Sequence, residues 1–119
     1  MNKGKKKSGG KYIKNRKKKP YEIIGQKRIV KIGEKKRKEK RVKGGKKKIF
    51  LLKTKFVNVQ TKNKISKVEM TNVLETPSNR FLARQNIITK GTIVETELGK
   101  VKITNRPTQE GIVNGILVK

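Results

Sequence analysis

Between Glu34 and Lys48 the chain carries ten lysines or arginines against two glutamates, closed around the pair Gly44 and Gly45. Lys35, Lys36, Arg37, Lys38, Lys40, Arg41, Lys43, Lys46, Lys47 and Lys48 are side chains that hold phosphate oxygens by charge. The two glycines can take positive φ and bring main-chain N–H groups up to an anion with no side chain between. The chemistry encoded is recognition of a polyanion through its phosphates. A like-charge block standing alone equally describes a solvated run that ends in a turn; the charge of the whole chain decides for recognition.

Other reactive chemistry is scarce. Cys and His are both absent, which removes disulfides, thiolate catalysis, the commonest metal ligand and the usual general base near neutral pH. Glu95 and Glu97 share a phase on a candidate strand, and two converging carboxylates are what a ribonuclease would use as acid, base or metal ligands. No nucleophile or base surrounds them, and solvent-facing positions explain them as well. The expectation is therefore no enzyme, no metal, no cofactor and no small-molecule substrate.

The chain of 119 residues has 35 Lys plus Arg and 8 Asp plus Glu, a formal charge of +27. Self-repulsion of that size works against compaction, so a neutralising polyanion is expected. A membrane surface is disfavoured because no apolar run is long enough to span and no basic amphipathic helix carries an aromatic face. Nucleic acid remains. A sequence-independent DNA-packaging protein would be served by the same charge, although no helix-turn-helix pattern and no Cys or His finger supports it. The N-terminal lysines lead into Ser8, Gly9 and Gly10 rather than an apolar run, so no signal peptide is expected and the protein should stay in the cytoplasm where it is made.

The elements that must position these charges divide unevenly. Residues 1–55 hold 25 basic and 3 acidic residues, net +22; residues 56–119 hold 10 and 5, net +5. In residues 1–20 only Tyr12 and Ile13 are large and apolar after Met1, too little burial to offset ordering entropy, so this stretch is expected to be disordered in the free protein. Tyr12 and Tyr21, set among lysines, suit stacking on exposed bases. Tyr21, Ile23 and Ile24, then Ile29, Val30 and Ile32, form two short apolar anchors.

Downstream the punctuation is that of a β protein. Phe50, Leu52 and Phe56 share one strand phase and Val57 and Val59 the other, which predicts a bend near residues 55–57. Residues 61–64 read as a turn, and Val68, Met70 and Leu74 as the inner positions of the next strand. Ser78 is placed to cap a short helix over residues 79–86, where Arg80 and Arg84 stack at i, i+4, able to grip a phosphate or simply face solvent. Residues 92–97 and 100–105 form a hairpin around Leu98 and Gly99, with Val101 and Ile103 inward and Lys100, Lys102 and Arg106 on the other face. Residues 107–110 read as a loop, and Ile112, Ile116 and Val118 as a closing strand. The expected fold is all-β: a small closed β-barrel with one short helix, preceded by a flexible basic N-terminal arm. The arm is assigned to residues 1–40 and the barrel to residues 41–119, closure being preferred because it protects strand edges.

Four segments carry a family resemblance: KIGEKKR at Lys31 to Arg37, RVKGGKKK at Arg41 to Lys48, NRFLARQNIITKGTIVETELGK at Asn79 to Lys100, and RPTQEGIVNGILV at Arg106 to Val118. In order and spacing they resemble the short archaeal form of ribosomal protein eight of the archaeal and eukaryotic small-subunit series, a family distinct from the bacterial protein of that ordinal. The resemblance covers most of the chain from about Pro20 onward. It implies a small β-barrel with a basic arm, held in the small ribosomal subunit by its ribosomal RNA and beside other small-subunit proteins, with no catalytic residue. Carried onto this sequence, the family's arm falls on Lys14, Arg16, Lys17, Lys18 and Lys19. Its glycine-pair segment falls on Arg41, Lys43, Gly44, Gly45 and Lys46, and its helix and following loop on Arg80, Arg84 and Lys90.

Overall fold

The computed structural model describes residues 4–13, 15–62 and 64–118. Its strands and helices are β1 (Val30–Ile32), β2 (Lys36–Arg41), β3 (Lys47–Thr54), β4 (Phe56–Gln60), β5 (Ile65–Glu75), α1 (Arg80–Arg84), β6 (Ile87–Ile88), β7 (Ile93–Thr96), β8 (Gly99–Ile103), α2 (Pro107–Glu110) and β9 (Asn114–Leu117), with 3-10 turns at Pro20–Glu22 and Lys43–Gly45. The all-β barrel expected from the sequence is present: β4, β5, β7, β8 and β9 close in that order. Its interior is filled by branched residues that suit a pleated surface, Val57, Val59, Val94, Val101 and Ile103 being wholly inaccessible. The seam closes where β9 lies parallel to β4, with Asn58 opposite Asn114. There Asn58 Nδ2 donates to Asn114 Oδ1 at 3.0 Å.

A second sheet runs β2-β3-β1-β6. In it β1 is parallel to β3 and antiparallel to β6, and Val30, Leu51, Ile87 and Ile88 are buried. Hydrogen-bonded pairing joins β1 and β2 to β3 in this sheet, and residue 40 lies within β2. Residues 4–29 contain no buried residue among those described. The radius of gyration is 21.0 Å, against about 13.5 Å for a compact chain of this length.

Five local readings are corrected. Strand β5 shifts register between Met70 and Asn72 and again between Val73 and Glu75, so Val73 is buried and Leu74 is 41% exposed. The Val73 N–H displaced by the bulge donates to Asn72 Oδ1 at 2.9 Å and Asn86 Oδ1 at 3.3 Å. On β9 and beside its ends, Ile112, Ile116 and Val118 are exposed and Val113 is buried instead. The cause is Gly115: a Cβ there would lie 2.4 Å from Val101 Cγ1 and 3.0 Å from the Lys102 carbonyl oxygen, so the strand's inner face has no room for a side chain. The β7–β8 loop is Glu97–Leu98, since Thr96 pairs with Gly99 and Thr96 Oγ1 donates to the Gly99 carbonyl at 2.8 Å. Residues 107–110 are a helical turn, begun by Pro107 at its first position and stopped by Gly111 at φ 76°. The cap of α1 is Asn79 rather than Ser78; its Oδ1 accepts from Phe81 N at 3.0 Å.

Candidate nucleic-acid interface

Strands β2 and β3 form an antiparallel ribbon in which every residue of β2 is exposed. Across it stand Lys38 and Phe50, Glu39 and Ile49, Lys40 and Lys48, Arg41 and Lys47. Strand alternation therefore puts Lys38, Lys40, Lys48 and Phe50 on one face, and Arg37, Glu39, Arg41, Lys47 and Ile49 on the other. Two of these directly opposed pairs join like charges, an arrangement that weakens a hairpin. The relief within the ribbon is small: Lys47 Nζ lies 3.5 Å from Glu39 Oε2, both side chains more than half exposed, so the pair contributes at most ~1 kcal/mol.

The ribbon's tip is Val42 to Lys46, closed by Val42 N donating to the Lys46 carbonyl at 2.8 Å. Gly44 and Gly45 both have positive φ, 80° and 74°, with nothing within 4 Å of where a Cβ would stand. Glycine is required here by backbone conformation, and the space around it is open, so main-chain groups are free to meet an incoming anion. The base is anchored on both faces. On one, α2 packs against β3 and Gly111 comes up to the Ile49 side chain; on the other, the Arg28 guanidinium sits 3.5 Å from the centre of the Phe50 ring.

In the arm, Lys17, Lys18, Lys19, Tyr12 and Tyr21 are exposed, and Lys14 lies outside the described residues. Arg16 forks onto both oxygens of Glu22, 2.8 Å for Nη1 to Oε2, and Lys19 N donates to the same carboxylate at 3.1 Å. These bonds, the Arg16 fork first and the Lys19 N–H second, hold the Glu22 carboxyl below its ordinary range. Arg16 is thereby already engaged within the chain. Arg80, Arg84 and Lys90 are exposed too, but α1 packs on β5 and β6, and β6 is the edge of the sheet opposite β2. The structure thus gathers residues 36–48 into one ribbon and leaves Arg80 and Arg84 on another flank with α1, while Lys90 acts on the carboxyl of Glu110 in α2, the helix packed against β3. Glu95 stands exposed opposite Lys100, Glu97 lies in the turn beyond it, and among the described residues no three acidic groups converge as a metal site would need.

The sequence fits the family model of ribosomal protein S8e over residues 1–118. The chain belongs to the ribosomal protein S8e family. Similar proteins include small ribosomal subunit protein eS8 of Nanoarchaeum equitans, 49% identical over 106 residues, 87% of this chain and 84% of that protein. The protein of that name from Staphylothermus marinus is 47% identical over 115 residues, 94% and 90% of the two chains. That from Sulfolobus acidocaldarius is 46% identical over 116 residues, again 94% and 90%.

In this S8e chain three cations outside the expected set, Arg28, Lys31 and Lys53, belong to the same surface. Lys31 and the expected Lys36 both pair with Lys53 across neighbouring strands, and these lysines are all exposed. Arg28 covers Phe50. Composition signals none of these, because what brings them together is the parallel pairing of β1 with β3, a long-range choice that no local pattern encodes.

Proposed function

We propose that the chain is a structural component of the small ribosomal subunit, binding and stabilising folded small-subunit ribosomal RNA through its basic arm and the glycine-pair ribbon, in the cytoplasm and beside neighbouring small-subunit proteins. The observation that carries this reading is the β2–β3 ribbon: exposed, built from directly opposed like charges, and lacking enough carboxylates of its own to balance them. Family membership favours ribosomal RNA over DNA as that polyanion.

The mechanism is electrostatic. Each Lys or Arg that meets a phosphate releases condensed counterions, contributing about −0.7 to the slope of log K against log salt for single-stranded RNA. With on the order of ten such contacts, affinity falls by several decades for a modest rise in salt. Specificity comes from shape: the barrel and the glycine-pair tip fit a particular RNA fold, and the arm orders against RNA that supplies its countercharge. The reading assigns the chain no reaction.

Sedimentation of cell extract tests it. At moderate salt the protein should travel with small subunits and be released by a high-salt wash; a free pool, or one bound to chromatin, overturns the reading.

A further inference from the structure

A protein strand pair that lay flat on one RNA surface would need cations on one face only. This ribbon has them on both. Lys38, Lys40 and Lys48 project from one face, and Arg37, Arg41 and Lys47 from the other, all six exposed. The single acidic side chain, Glu39, pairs with Lys47 and leaves each face net positive. The six paired residues of β2 make the ribbon about 20 Å long, enough to run beside several phosphates of an RNA strand. Its base is held on both sides, by α2 at Ile49 and by Arg28 at Phe50; beyond it the cations of both faces are exposed, Lys40 and Lys48 lining an open groove that residues 24–28 also border.

Resting on the RNA reading above, we propose that the ribbon is a two-sided wedge that holds two separate RNA backbones at once, one against each face, and so joins two RNA helices that are not continuous with each other. The like-charge pairs Lys40 with Lys48 and Arg41 with Lys47 are each directed at a different backbone. Each pair is relieved only when its own face is occupied. One backbone alone leaves the opposite pair uncompensated, so occupation of the first face leaves the second still seeking an anion.

The experiment uses the full chain and two short RNA duplexes, one carrying a donor dye and one an acceptor, in excess over protein. Energy transfer reports bridging, and anisotropy of a single duplex reports binding. Three variants lose the same charge: one face (Lys38→Gln, Lys40→Gln, Lys48→Gln), the other face (Arg37→Gln, Arg41→Gln, Lys47→Gln), and a control in exposed barrel lysines away from the ribbon (Lys62→Gln, Lys64→Gln, Lys102→Gln). Each face variant should lose bridging at least tenfold while binding one duplex within about fivefold of the parent; the control should keep bridging within about twofold. Equal loss in all three, or unchanged bridging in the face variants, overturns the wedge. Failure of the parent to bind even one duplex would instead overturn the RNA reading itself.

A second measurement does not depend on triple substitutions. The chain has no cysteine, so Lys47→Cys and Lys48→Cys each place one hydroxyl-radical source on opposite faces of neighbouring residues. In assembled small subunits the two should cut non-contiguous RNA segments; cleavage of one common segment overturns the wedge.

Discussion

The barrel and the ribbon are both antiparallel β-structure, and they differ in what they leave unbalanced. In the barrel, Glu95 stands opposite Lys100, Lys55 lies 3.8 Å from Glu69, and the interior is closed by Val57, Val59, Val94, Val101 and Ile103 without a gap to solvent. In the ribbon, lysine stands opposite lysine and arginine opposite lysine, and no residue of β2 is buried. One region is stable by its own contents. The other has a fold whose electrostatics are complete only with a partner, so stability and binding are properties of different parts of the chain and should respond to different mutations.

The sharpest way to break that separation is in the core. Ile103→Ala removes a wholly buried side chain and should destabilise the protein by about 2–5 kcal/mol, seen as a lower Tm, while RNA affinity per folded molecule stays as it was. If affinity falls in step with stability, the two regions are not independent. Next, Lys43→Ala, Lys46→Ala and Lys47→Ala together should flatten the salt slope by about 2 and weaken binding about a hundredfold at 0.1 M salt, with Tm unmoved. An unchanged slope would remove the tip from the RNA contact.

A smaller effect tests the sign of the comparison. Lys48→Glu converts a like pair with Lys40 into an opposite one, and should stabilise the free ribbon by about 0.5–1 kcal/mol, read as slower amide exchange in β2, while RNA binding weakens. Stability and affinity moving together would contradict the claim that the ribbon is built for an external countercharge. Smallest is the clasp in the arm. The Glu22 carboxyl is held low by Arg16 and the Lys19 N–H, so its contribution is present above the ordinary carboxylate range and is lost as pH falls through the lowered value. Arg16→Gln should move the Glu22 titration seen by NMR back up; an unmoved titration would mean the clasp does not form in solution.

Much of this was legible in the residues. Alternation placed Val101 and Ile103 inside and Lys100 and Lys102 outside, and the glycine pair marked a turn with left-handed backbone. The phase of β9 was not legible, because its inner face is defined by a missing side chain at Gly115, which reads as a gap in the pattern rather than as core. Leu74 was placed inside for a related reason: two bulges in β5 reset the alternation, and their stabilising partner, Asn86, lies in another segment. The site divided in the same way. The density of charge between Lys35 and Lys48 is local and could be read directly. That Lys31 and Lys53 join it, and that Arg80 and Arg84 do not, follows from sheet order, which depends on pairings between distant segments.

The parallel seam between β4 and β9 sets an order of events. Asn58 and Asn114 are 56 residues apart, and bringing such distant segments together carries a closure entropy of about 3.5 kcal/mol beyond its constant part, so the barrel should shut late and as one step. The ribbon is a local hairpin of the kind that forms in about 1–10 μs. RNA can therefore meet the ribbon while the barrel behind it is still open, and the grip can precede the locator.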